Sequence, residues 1–266
     1  MAYASVTISS EMLTETMSAL RAATRRALVC YVTAGHPDAG ASLALVQGIA
    51  EAGADVIELG VPFSDPVADG PVIQGSSQRA LEQGMTLDKT LELASAAAVR
   101  VPLVLFSYLN PLLAAGPDVL GRAKDAGISG VLVTDLPVGA DPAREEWIGH
   151  GPLAFVRLVA PTTPTERMAQ IASHGSGFVY LISRLGVTGV RNDVPAELPG
   201  TVKRLRSVCT LPICVGFGVS TPSHARAVAG LADGVVVGSA LVQAAERSVD
   251  EAVAFVRTLR AALDAA

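Results

Sequence analysis

Eight short, continuously apolar runs recur along this 266-residue chain: Ala27–Thr33, Val56–Gly60, Leu103–Ser107, Gly130–Thr134, Ala154–Val159, Phe178–Ser183, Pro212–Gly216 and Gly234–Gly238. Each is bounded by Gly or Pro, the pattern of a strand covered on both faces. Segments of helical period lie between them, as in Ala41–Ala52, Leu87–Val99, Asp118–Ala126, Thr165–Ala172 and Thr221–Ala229. Alternation of β then α points to a parallel sheet. EAGADVIEL (51–59), DAGISGVLV (125–133) and AGLADGVVV (229–237) each run from a helix end through Gly into a strand, a weak echo of one repeated unit. Eight such units close as a (β/α)8 barrel, whereas a doubly wound sheet usually has fewer strands and a glycine fingerprint after the first. Here the first strand leads into AGHPDAG (34–40), which is not G-x-G-x-x-G. The expectation is an α/β fold: a single TIM-barrel domain over residues 1–266 with an extra N-terminal helix at Ser9–Thr24.

Composition narrows the function. Half the residues are apolar, enough for a sizeable core, and the net charge of −5 with no basic cluster argues against a nucleic-acid surface. The longest uncharged stretch, Val101 to Gly116, falls short of a span and is broken by Pro102, Asn110 and Pro111; the N-terminus lacks a signal-like pattern. No membrane partner is expected. Cys30, Cys209 and Cys214 are odd in number with no CxxC spacing, which predicts buried reduced thiols and a cytoplasmic location.

The chemistry centres on Asp55–Pro71, DVIELGVPFSDPVADGP. Glu58 sits inside the aliphatic run Val56-Ile57-Glu58-Leu59, where an unpaired carboxylate either loses several kcal/mol of hydration or has its pKa raised. Asp69 follows in a loop rich in Gly and Pro. In a barrel, catalytic groups come from the C-terminal strand ends and the loops after them, which puts Glu58, Asp69, Pro111 and Asp135 on one rim. Asp135 also fits a turn acid leading a helix. GFGVSTP (216–222) and VVGSAL (236–241) each open a helix after the last two strands, the usual phosphate seat of such barrels. Ser239 adds a hydroxyl there and Gly189 a further amide.

The residues also narrow the reaction type. The three lysines (Lys89, Lys124, Lys203) lie in helix-like contexts, so a strand-borne Schiff base is not expected. The four histidines are scattered, giving no His-rich metal site, although Asp65 with Asp69 remains a conceivable Mg²⁺ pair. What is left is acid/base chemistry without metal or cofactor, run by two carboxyl groups whose pKa values are pushed apart. The loop 184–192 has the composition of a lid. Tyr180 fits either the barrel mouth or the core, and Trp147 receives no role.

These blocks resemble the α subunit of tryptophan synthase. ELGVPFSDPVADGP carries the strongest likeness, and YVTAGHPD (31–38), SYLNP (107–111), VTDLPV (133–138), SRLGVTG (183–189), VGFGVS (215–220) and DGVVVGSA (233–240) follow in order, covering essentially the whole chain. The resemblance implies retro-aldol cleavage of indole-3-glycerol phosphate to indole and glyceraldehyde 3-phosphate, with indole passed to a pyridoxal-phosphate β subunit in an αββα complex. It implies that Glu58 protonates the indole ring carbon and that Asp69 stabilises the cation developing at the ring nitrogen. It further implies that Tyr31, Tyr108, Tyr180 and Phe217 line the indole pocket and that Thr188 is the lid threonine meeting Asp69. Gly189, Gly218, Gly238 and Ser239 correspond to the phosphate seat, and Pro62, Asp65 and Asn110-Pro111 to the β-subunit face. His36 stands where the family often has Asp, and Ala114-Ala115 replaces a more usual aromatic. Two alternatives stand beside this reading: a stand-alone indole-glycerol-phosphate lyase, and a non-catalytic activator of a β subunit.

Overall fold

A computed structural model describes residues 10–182, 195–216 and 218–266. Strands β1 (Ala27–Thr33), β2 (Val56–Gly60), β3 (Leu103–Ser107), β4 (Ile128–Val133), β5 (Ala154–Val159), β6 (Val179–Ile182), β7 (Ile213–Gly216) and β8 (Gly234–Val237) form a closed barrel in chain order. Every neighbouring pair is parallel, and β8 closes onto β1 with Val29 opposite Val236. This is the (β/α)8 architecture expected from the alternation. All eight strands lie where the apolar runs are, with ends shifted by up to two residues.

Among the described residues, helix α1 (Ser10–Ala22) precedes the barrel and pushes Leu13 and Met17 into its interior. Those two side chains pack with Val29, Val56, Val104 and Phe178, so the N-terminal end of the barrel is plugged and only the C-terminal end can admit a ligand. The outer layer is α2 (Ala39–Glu51), α3 (Pro71–Glu82), α4 (Leu87–Ala97), α5 (Leu109–Ala114), α6 (Val119–Asp125), α7 (Pro142–Gly149), α8 (Thr165–Ser173), α9 (Leu198–Arg206), α10 (Pro222–Ala229), α11 (Ser239–Arg247) and α12 (Val249–Asp264). None of the described helices is long and apolar enough to cross a membrane. The cysteines are free and buried, as expected.

Helix α3 is the informative addition, because Asp69 stands just before it. Pro71 opens it at the first turn, where a missing N–H is harmless, yet Gly75-Ser76-Ser77 in its middle are poor helix formers. Its buried face is Ile73, Ser76, Ser77 and Ala80, half of it hydroxyl, so no apolar stripe advertises the helix in sequence. Packing supplies what propensity does not: the helix lies against β1 and α11.

The internal echo has a physical basis. Gly53 and Gly127 end their helices at φ of +104° and +96°, a backbone that side chains disfavour, whereas Gly230 does not. Asp55 and Asp233 occupy the same place before β2 and β8. Each accepts an amide at the start of the preceding strand, Leu28 N–H at 2.8 Å and Ile213 N–H at 2.8 Å. Arginines complete both: Arg25 and Arg260 on Asp55, Arg206 on Asp233.

Candidate active site

In register, Tyr31 on β1 lies opposite Glu58 on β2, and Tyr180 on β6 lies opposite Cys214 on β7. These residues alternate with outward-facing aliphatics, so all four belong to the barrel interior. Glu58 is 1% exposed, and neither carboxyl oxygen has a hydrogen-bond partner among the described residues. Burial without compensation pushes its pKa up to about 8, which keeps the carboxyl protonated at neutral pH.

Asp69 is reached from above. The segment after β2 runs over the rim and returns at Gly70, the residue capping α3. There the Tyr108 hydroxyl donates to Asp69 Oδ2 at 3.0 Å and accepts from Ala68 N–H at 2.9 Å, while the Tyr108 ring lies 5.0 Å from that of Phe63. Burial raises the Asp69 pKa to about 6 against the lowering effect of the Tyr108 bond. The two carboxyl groups thus separate by about two pH units on those values, the acid above neutrality and the anion below it.

Two phenols frame the acids. Tyr31 is 7% exposed, with its ring edge-on to Phe106 at 5.1 Å. Tyr180 packs against the same interior cluster at the barrel mouth. Burial first, then the charges of Asp69 and Glu58, holds both hydroxyls well above their ordinary pKa, so they remain donors. The opposing backbone must be bare to admit them. A Cβ on Gly60 would stand 2.2 Å from the Tyr31 hydroxyl, and one on Gly216 would stand 2.2 Å from that of Tyr180.

On the other side of Tyr31 lies the start of helix α11. Gly238 caps α11 without a side-chain bond, leaving the first-turn amides at Ser239 and Ala240 without intrahelical partners. A Cβ on Gly238 would stand 3.7 Å from Tyr31 Cβ, which puts this helix start beside the pocket wall. Gly218 has φ of +70° in the turn after β7.

Glu58, Asp69, Tyr31, Tyr108, Tyr180, Gly218, Gly238 and Ser239 therefore all fall on the C-terminal rim or the interior just beneath it. Thr188, Gly189, the lid segment and Phe217 lie outside the described residues. Asp135 accepts the Leu109 N–H at 2.7 Å, so from the loop after β4 it caps the start of helix α5 across 26 residues, rather than leading the helix that follows it. Trp147 donates to the Pro117 carbonyl on the outside of the barrel. No three His, Cys, Asp or Glu side chains converge to hold a metal ion among the described residues.

Sequence reasoning missed Phe63, Phe106, Thr33 and Ser76. Phe106 and Thr33 were available from period-two alternation, two residues from Val104 and Tyr31 on the same inward face. Ser76 carried no signal, since helix α3 itself was not apparent.

Residues 17–265 match the family model described as tryptophan synthase alpha chain. A tryptophan synthase alpha chain of Desulfatibacillum aliphaticivorans is 48% identical over 236 residues, 87% of this chain and 89% of that protein. One from Geobacter sulfurreducens is 44% identical over 256 residues, 93% and 97% of the two chains. Among solved structures, a Mycobacterium tuberculosis tryptophan synthase superposes with a TM-score of 0.87 at 36% identity, covering 94% of this chain and 97% of the other.

Proposed function

The chain belongs to the tryptophan synthase alpha chain family, and from that premise we propose how its own residues carry the reaction. Members of the family are lyases that cleave indole-3-glycerol phosphate, and they pair with β subunits in α2β2 complexes. The observation that carries the assignment of roles is the buried Glu58, without a hydrogen-bond partner among the described residues, together with Asp69 held as an anion at neutral pH.

Glu58, protonated at neutral pH, delivers its proton to C3 of the indole ring. The ring becomes an iminium, with positive charge on the nitrogen, and Asp69 as an anion stabilises it. The hydroxyl on the adjacent side-chain carbon then loses its proton to the Glu58 carboxylate. Its carbon–carbon bond to C3 breaks, and the electron pair returns to the ring and neutralises the nitrogen. Indole and an aldehyde leave, and Glu58 has its proton back. No imine is needed, because the protonated ring is itself the electron sink.

Tyr31, Tyr108, Tyr180 and Phe217 line the indole pocket in this reading. The amides and hydroxyl at Gly218, Gly238 and Ser239, with Gly189, hold the phosphate, and Thr188 meets Asp69 from the lid. Val67 and Leu113 are the exposed large hydrophobics among the described residues, at 86% and 37% exposure. They lie in the Pro62–Asp65 and Asn110-Pro111 neighbourhoods and meet the β subunit. The 266 residues are read as one domain acting in the cytoplasm. The test is indole release from indole-3-glycerol phosphate by the chain alone and with a β subunit. Slow turnover alone that rises severalfold with the partner is expected, and no indole in either arm overturns the reading.

A further inference from the structure

A buried pair of hydroxyls joins helix α3 to the strand beside the one bearing Glu58. Thr33 Oγ1 on β1 and Ser76 Oγ on α3 stand 2.7 Å apart, at 1% and 2% exposure. Thr33 lies opposite Gly60, two residues beyond Glu58. Its Oγ1 is also 3.5 Å from the Tyr31 hydroxyl, which adjoins Gly60.

The far end of this contact is Asp69. Gln74 on the first turn of α3 donates its side-chain amide to the Asp69 carbonyl at 2.9 Å and its backbone N–H to the Gly70 carbonyl at 2.9 Å. Asp69 therefore moves with α3. Among the described residues, two polar contacts hold the body of that helix to its neighbours, the Thr33–Ser76 pair and the Arg79–Glu246 ion pair with α11, while Gln83 at its C-terminal cap donates to the Pro37 carbonyl. The ion pair is nearly half exposed on both sides, where such bonds contribute little. The hydroxyl pair is dry, so water does not compete for it. Ser76 does not need Thr33 for its own satisfaction, because it also donates to the Ile73 carbonyl at 2.9 Å. Alanine facing valine would fill much the same space without polar atoms to desolvate. What two hydroxyls add is a directional link.

We propose that Thr33 and Ser76 are positioning residues: their bond sets where Asp69, carried by α3, stands relative to Glu58 on the barrel strands. The inference rests on the proposed roles of those two acids. Misplacement by an ångström or less changes how well Asp69 meets the ring nitrogen in the transition state while leaving ground-state binding nearly alone.

The test compares indole release by the parent, Thr33→Val, Ser76→Ala, the double variant and Thr33→Ser, with melting temperatures alongside. Each of the first two should lower kcat about tenfold with KM within about twofold. The double variant should be no worse than either, since both break one bond, and Thr33→Ser, which keeps the hydroxyl, should recover to within about threefold of the parent. In Thr33→Val and Ser76→Ala the acid limb of the pH profile should move while the alkaline limb stays. Additive losses, a lowered melting temperature with unchanged kcat, or a Thr33→Ser as poor as Thr33→Val would overturn the positioning role. If Thr33→Val does not fold, Ser76→Ala and Thr33→Ser carry the same comparison. A parent that makes no indole with its β subunit would instead overturn the functional reading beneath it.

Discussion

Asp55 and Glu58 stand three residues apart, both buried, and the molecule treats them in opposite ways. At the N-terminal end of the barrel Asp55 receives Arg25 at 2.5 Å, Arg260 at 2.9 Å and the Leu28 amide. One layer higher, Glu58 receives nothing from the described residues. At the plugged end Asp55 is fully partnered, because that end serves stability. The open end leaves one unsatisfied, which is destabilising in itself and useful only to a reaction that needs a proton donor at neutral pH. The same division holds between Asp233, with Arg206 and the Ile213 amide, and Asp69, with one phenol.

Substitutions can sharpen that contrast. Glu58→Gln keeps shape but removes the transferable proton, so indole formation should fall by about 10³-fold with substrate binding nearly intact, as checked by single-turnover assay and binding titration. Wild-type-like turnover would remove Glu58 from the mechanism. Asp55→Ala strands two arginines and an amide. It should lower unfolding free energy by about 3–5 kcal/mol in a denaturant titration, while the molecules that remain folded keep their kcat.

The pH dependence separates the two ends more finely. Glu58 holds a proton in the folded state up to about 8, against an ordinary value of 4.5. Between those values the folded chain binds a proton that the unfolded chain has lost, so stability from this group falls as pH rises. Glu58→Gln should abolish that slope and be more stable than the parent at pH 8 by on the order of 4 kcal/mol. Unfolding free energies at pH 5 and pH 8 check it. An unchanged slope would show that Glu58 is compensated after all. The smallest expected effect is on the parent's activity profile: kcat/KM measured across pH should be bell-shaped, with limbs near 6 for Asp69 and 8 for Glu58.

Most of the barrel is legible from residue types alone. Continuous apolar runs report strands covered on both faces, and their number reports closure. Glu58 was legible for the same reason, as a charge inside such a run. Asp69 needed the loop, and its partner Tyr108 could be found only as a pocket residue, since 39 positions separate them. Helix α3 was hidden because its buried face is half hydroxyl, and the Thr33–Ser76 link was hidden with it.

By itself, then, the sequence determined the layers, the order of the strands and the anomaly of an acid among aliphatics, all of which follow from local periodicity and from the cost of burying charge. Tertiary structure alone decided which acids are paired. Arg25 and Arg260 reach Asp55 from 30 and 205 residues away, and no residue described reaches Glu58. Whether a buried carboxyl becomes a stabilising anion or a protonated acid depends on those distant partners, and barrel closure is what brings them to one end and withholds them from the other.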